Sequence, residues 1–198
     1  MLNLLISAKI KDYKNYRWFF TSNNVLVVGG KSDQQNELAL KHFLKPGYTI
    51  THTSKPGSPF MIIQSNKPTK QDIEETAIFC ACFSKQWKSI KPSSKIDIDI
   101  FQGNQIYKNK TMKKGTFGVN GKKQKIKVKP ELVLVFQKGK LKAVPKSDEK
   151  VLAQIKSGKL TKEQTAEKIA KKLKDEFHLP ITKDEIMQAI PSGKLSVK

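Results

Sequence analysis

The pattern of apolar and polar positions divides the chain into short strands and a few helices. Arg17 to Phe20 and Val25 to Val28 are β-branched or aromatic runs, and the turn formers Thr21-Ser22-Asn23-Asn24 between them predict a hairpin. Gly29-Gly30 breaks the second strand. Ser32, with Gln35 three residues on, has capping-box spacing, so a helix starts near Asp33 and runs to Leu44. Tyr48 to Thr53 and Phe60 to Gln64 read as strands on either side of a polar loop that contains two prolines and a glycine. The strongest helix follows, from about Lys70 to Lys88. Its Ile73, Ala77, Cys80, Ala81, Ser84 and Trp87 recur at three and four, and Ile78, Phe79, Cys82 and Phe83 widen the apolar face, as a central helix packed on a sheet requires. Trp87 on that face is read as core.

Ile96 to Ile100 alternates, which predicts a half-exposed edge strand with Asp97 and Asp99 on its wet side. Leu132 to Phe136 is continuously apolar and belongs deep in a sheet, and Gly139 turns it into Leu141 to Val144. Leu2 to Ile10 reads as a first strand. After Pro145 the pattern is helical: Asp148 to Ile155, Lys162 to Phe177 with Thr161 and Gln164 as a capping box, and Lys183 to Ala189 with Thr182 and Glu185 as another. Leu160, Ile169, Leu173, Phe177, Leu179, Ile186 and Ile190 are the candidates for a small shared core there. The expected fold is α+β: a largely antiparallel sheet with two main helices over residues 1 to 146, then a small C-terminal all-α module over 147 to 198.

Charge changes this picture most. The formal net charge is +21 on 198 residues. Residues 147 to 198 hold eleven lysines against eight acids, so +18 of it lies on residues 1 to 146. Such an excess points to an anionic partner, nucleic acid or a membrane surface, before small-molecule chemistry. Between Gln102 and Pro130 there are nine lysines and no acid, together with Gly115, Gly118 and Gly121, which permit close backbone approach. Nine like charges without compensation destabilise a free protein unless an anion is met. The aromatics Tyr107 and Phe117 in the same loops supply a means of base stacking.

Other chemistry is thin. No apolar run reaches 18 residues, so no spanning helix is expected. Met1 to Ile10 lacks a cationic start and a cleavage-like site, so no signal peptide is read there. Cys80 and Cys82, two apart on a helix, face different sides and lack the further ligands of a zinc site; they read as buried thiols of a cytoplasmic protein. His52, with Ser54 and Ser58 in its loop, invites a general-base reading, yet no acid in that loop orients the imidazole. Asp97 and Asp99 alone make no metal site. Catalytic, metal and cofactor residues are therefore expected to be none. Gly29-Gly30-Lys31 before a helix start offers an anion its backbone N–H groups, although the spacing matches neither GxxxxGK[ST] nor GxGxxG.

The segments YRWFFTSNNVLVVGGKSDQQNELALKHFL, HTSKPGSPFMII, ETAIFCACFSKQWKS and KKGTFGV occur in that order. They resemble the NFACT RNA-binding domain family, in which an R-W-F-x-S hairpin, a G-G-x-x-x-x-Q-N-E helix start, an H-x-x-x-P-G-S loop, a helix ending S-x-W and a G-[ST]-[FW] segment recur. The resemblance spans about residues 8 to 144. It implies RNA binding without a catalytic activity, and a characteristic face made of Arg17, Lys31, Gln35, Asn36, His52, Pro56, Gly57, Ser58, Ser84, Trp87 and Gly115 to Gly118. The larger members are ribosome quality-control factors, so the implied partner is rRNA or tRNA, on the ribosome, with neither a membrane nor a small-molecule substrate.

Three departures stand beside this resemblance. The chain resembles the stand-alone form of the domain, without the N-terminal domain, helix-hairpin-helix segment or coiled coil of the long members. Ser54-Lys55 makes the histidine loop more basic than theirs, and the segment after Ser147 has no matched counterpart. Joining both lines, the expected RNA-contacting residues are Arg17, Lys31, Gln35, Asn36, His52, Lys55, Ser58, Lys110, Lys113, Lys114, Phe117, Lys122 and Lys123. Two alternatives stay open: an RNA-processing enzyme centred on His52, and a protein adaptor acting through the tail. A preference for DNA also stays open, since lysine–phosphate contacts do not read the sugar.

Overall fold

The predicted hairpin is present. β1 (Arg17–Phe20) and β2 (Leu26–Gly29) pair antiparallel, with Trp18 opposite Val28 and Phe19 opposite Val27. The computed structural model describes residues 13–91 and 93–198, so the strand predicted over Leu2 to Ile10 lies outside them. Because strand side chains alternate, Phe19 and Val27 enter one core while Trp18 and Val28 enter another. The hairpin continues through β3 (Thr49–Thr53), β4 (Met61–Ile63), β5 (Ile96–Gln102) and, beyond the small pair β6 (Ile106–Tyr107) and β7 (Gly118–Val119), β8 (Gln124–Val128). Together they form a six-stranded antiparallel sheet in the order β1-β2-β4-β3-β5-β8.

Helix α1 (Asp33–Phe43) begins at the expected residue and covers one face of this sheet with Ala39, Leu40 and Phe43, against Trp18, Ile50 and Ile62. Helix α2 (Lys70–Cys82) covers the other. Its Ala77, Cys80 and Ala81 are fully buried, which is the central helix that the broad apolar face predicted. It also meets the second sheet, formed by β9 (Glu131–Gln137), β10 (Lys140–Val144), β11 (Ala153–Leu160) and β12 (Leu195–Val197) in the order β10-β9-β11-β12. Leu132 and Leu134 of β9 are buried at its centre, as their continuous apolar run required. Lys138 and Gly139, both at positive φ (50° and 73°), make the two-residue turn whose twist suits a hairpin. Helices α3 (Lys162–Phe177) and α4 (Lys183–Ala189) start at their predicted capping boxes and pack together, α3 also on β12 and α4 on β10.

Three expectations are corrected. β5 is not an edge strand: β3 and β8 flank it, and Asp99 is buried where Ser54 and Lys123 bond its carboxylate. α2 stops at Cys82 instead of running to Lys88. Ser84 then caps a separate 3-10 turn, Lys85–Ser89, which swings Trp87 into the core at 1% exposure. The helix expected over Asp148 to Ile155 is absent; Ala153 and Ile155 begin β11, which pairs with β9 on one side and β12 on the other. The tail is therefore a helical pair set on two strands, and its Ile155, Ile169, Ile186 and Leu195 share one core with α2.

Candidate nucleic-acid interface

The turn after β2 is the origin of the site. Ser32 Oγ accepts from Gln35 N–H at 3.2 Å, which fixes the first turn of α1, and Gln35 Oε1 accepts from Lys31 N–H at 3.1 Å, which closes the Gly-Gly-Lys turn onto the helix. Neither glycine needs a positive φ. Both are required by close approach, since a Cβ on Gly29 would stand 2.3 Å from Met61 Sδ and one on Gly30 2.4 Å from Asn36 N and Oδ1. Asn36 is buried, and its Oδ1 has no hydrogen-bond partner among the described residues.

Two other segments are tied to this turn. Lys85 N–H donates to the carbonyl of Gly57 at 2.7 Å, joining the Pro-Gly-Ser loop to the segment after α2, and Gly57 has the positive φ (107°) that the loop needs. Thr53 N–H donates to Ser58 Oγ at 2.9 Å, which returns that loop to β3. Gly115 lies against Asp33, where a Cβ would be 2.5 Å from the Asp33 Cβ, and its N–H donates to Glu37 Oε1 at 2.7 Å. Lys108 pairs with the same Glu37 carboxylate. Segments far apart in sequence thus meet around the first turns of α1.

A cavity of about 250 Å³ lies at their junction. Arg17, Lys31, Lys85 and Lys88 bring four positive charges to its wall against the one negative charge of Asp33, with Asn36 and Ser58 beside them. The N-terminus of α1 adds positive partial charge. The Arg17 guanidinium stacks on Phe83 at 4.1 Å, and its Nε is buried without a hydrogen-bond partner among the described residues. Burial pulls the Arg17 pKa down to about 10, and burial followed by Arg17 and Lys140 lowers that of Lys31. Among the described residues none of these four cations forms an ion pair.

The lysine segment does not line this cavity but packs on its wall residue Asp33 through Gly115. Among the described residues Lys108, Lys123 and Lys129 are paired with Glu37, Asp99 and Glu131, whereas Lys110, Lys113, Lys114, Lys122, Lys125 and Lys127 are exposed and have no ion pair. Phe117 is turned inward, edge-on to Phe60 at 5.5 Å and beneath the Lys108 ammonium at 4.8 Å, so it braces the loop rather than offering a free stacking face.

Of the expected contact residues, Arg17, Lys31, Asn36 and Ser58 line the cavity, and Gln35 shapes its turn. Lys110, Lys113, Lys114, Lys122 and Lys123 lie on the exposed strip. His52 and Lys55 are not in the cavity wall. The His52 ring stacks on Phe60 at 4.5 Å, its Nδ1 lies 2.8 Å from the Thr53 carbonyl, and burial lowers its pKa, so it is held as a neutral part of the packing. Among the described residues no group of three or more His, Cys, Asp or Glu is placed to hold a metal ion, and no helix is long and apolar enough to cross a membrane. Sequence reading missed Lys85, Lys88 and Ser192 as wall residues. The lysines flanking Trp87 were the visible signal for the first two; Ser192 had none.

Fold and site together define an α+β domain with a cation-walled cavity at a helix N-terminus, bordered by an unpaired lysine strip. The chain belongs to the family described as the NFACT protein RNA binding domain, whose model matches residues 15–121. It is 30% identical over 86 residues to the human ribosome quality control complex subunit NEMF, a match covering 41% of this chain and 8% of that protein. It is 35% identical over 71 residues to the Drosophila melanogaster homolog, covering 36% and 7%. To the archaeal Rqc2 homolog aRqcH of Methanocaldococcus jannaschii it is 29% identical over 85 residues, covering 42% and 12%. The chain thus matches only about a tenth of the length of these relatives. The C-terminal structure of the fibronectin/fibrinogen-binding protein of Streptococcus suis shares the fold, with a TM-score of 0.52 at 19% identity over 58% of this chain and 45% of that one.

Proposed function

We propose that this domain binds structured RNA, rRNA or tRNA on the cytoplasmic ribosome, in ribosome quality control and without a catalytic step. The observation that carries the reading is the junction of the Gly-Gly turn, the Pro-Gly-Ser loop and the Ser-x-x-Trp turn around a cation-walled cavity, with exposed, unpaired lysines alongside. Lys31 and the lysine strip neutralise phosphates, while the cavity supplies polar contacts through Arg17, Asn36 and the start of α1. The family description and the quality-control roles in the relatives' names support the same direction.

Crosslinking in cells followed by sequencing of the bound RNA tests it, run beside a chain with Lys110, Lys113, Lys114, Lys122 and Lys123 changed to glutamate. Discrete rRNA or tRNA peaks that vanish in the variant are expected. Recovery of RNA no better than background from the unaltered protein would sink the reading.

A further inference from the structure

A larger cavity, about 890 Å³, adjoins the first and shares Arg17, Lys31, Phe83 and Ser192 with it. Its remaining walls come mostly from beyond the family-matched segment: β10, the first residue of α3, α4 and the stretch leading to β12. Among the described residues Lys14, Arg17, Lys31, Lys140, Lys142 and Lys162 face into it, against Asp184 and Glu185. The Glu185 carboxylate is engaged at its own helix start, where Thr182 N–H and Oγ–H donate to it at 3.0 and 2.7 Å. Among the described residues none of the six cations forms an ion pair.

Lys142 is the centre of this group. Its ammonium rests on the Trp18 ring, 4.2 Å from the centroid, which takes one side of it out of water. Burial, then Arg17, Lys31 and Lys140, pull its pKa down to about 7, and burial and Arg17 lower that of Lys162. A folded protein gains nothing by crowding cations so closely, and an anion among them reverses the penalty for each. Cavities of about 300–1,000 Å³ accept small molecules or short segments, so the cleft admits a looped-out or unpaired strand and not a duplex.

We propose that this cleft holds the phosphodiester backbone of a single-stranded RNA segment, with Arg17, Lys142 and Lys162 as its contacts, so that the C-terminal segment completes the RNA-binding surface. The inference rests on the RNA-binding reading above. It assigns the tail a function and places single-strand recognition away from the lysine strip. Protonation of Lys142 accompanies binding, so single-strand affinity rises as pH falls from 8 to 6; among the described residues Lys14, Arg17, Lys31, Lys140, Lys162, Asp184 and Glu185 are the other charged groups facing the cleft, Tyr16 is a further titratable one, and the wall contains no histidine.

The test measures binding of a ten-nucleotide single-stranded RNA and of a blunt RNA duplex, with ATP as competitor, to the full chain, to Lys142→Met/Lys162→Gln and to Lys113→Glu/Lys114→Glu. Loss of two charged contacts weakens the single strand about tenfold or more in the first variant. Duplex affinity stays within about twofold, and the pH dependence is lost in that variant alone. Equal single-strand affinity in parent and first variant, or displacement of the RNA by ATP, overturns the proposal while leaving RNA binding intact. Absence of all RNA binding by the parent overturns the wider reading as well. Should the first variant fail to fold, amine labelling of the unaltered protein decides: bound single strand must protect Lys142 and Lys162, and unchanged labelling contradicts the assignment.

Discussion

Asp72 shows how one carboxylate positions the hairpin that supplies Arg17. It is buried at the start of α2, where Oδ1 accepts from Thr21 Oγ–H at 2.6 Å and Asn23 Nδ2 at 3.2 Å, and Oδ2 accepts from Thr69 N–H at 2.8 Å. Burial pushes its pKa up, but these bonds outweigh it and the carboxyl sits below its ordinary value. A depressed folded-state pKa contributes stability that is present above the unfolded value, near 4, and lost as pH falls through the folded one. Asp72→Ala removes the acceptor of four hydrogen bonds, the fourth from Thr69 Oγ–H, and should cost at least about 1.5–3 kcal/mol in chemical denaturation. Its stability should also fall less steeply below pH 4 than that of the parent; equal stability of the two at neutral pH would contradict this role. Gly30→Ala should cost about 1–3 kcal/mol by overpacking, because the atoms it meets are the Asn36 amide and carboxamide of the fixed first turn of α1. A thermal midpoint unchanged by this substitution would show that the turn relaxes.

At the scale of elements, local chemistry was legible wherever a local bond decides the outcome. Ser32 marked the start of α1, Thr161 and Thr182 marked α3 and α4, and Gly139 marked the last hairpin. The break in α2 was not legible, because Trp87 falls at helical spacing from Cys80 although a new cap at Ser84 carries it into the core. Val151, Leu152 and Ile155 mimicked a helix in the same way. Buried Ala153 and Ile155 of β11 follow a strand period, but only the neighbouring strands β9 and β12 settle that choice. The site divides along the same line. Motif residues such as Arg17, Lys31 and Asn36 were visible, whereas Lys142 and Lys162 become neighbours of Arg17 only through long-range packing. Ser84→Ala should cost about 1 kcal/mol by removing the cap of the Trp87 turn, and urea denaturation with no change in midpoint would argue against that cap.

At the scale of the whole molecule, the two sheets and α2 share a hydrophobic core that reaches Val197. A chain ending at Lys146 lacks β11 beside β9 and exposes part of that core, so it should lose its cooperative thermal transition; a sharp transition near the parent's would contradict this. The net charge of +21 and the lysines left without ion pairs among the described residues make the molecule a polycation, which the proposed function matches with an anionic partner. The salt dependence of affinity for a structured RNA tests that claim most directly. Each neutralised phosphate contributes about −0.9 on a duplex or −0.7 on a single strand to the slope of log affinity against log salt. RNA binding by these lysines requires a slope steeper than about −2, made shallower by roughly one for each lysine of the strip removed. A slope shallower than about −2, unchanged when Lys110, Lys113, Lys114 and Lys122 are replaced by glutamate, would contradict it.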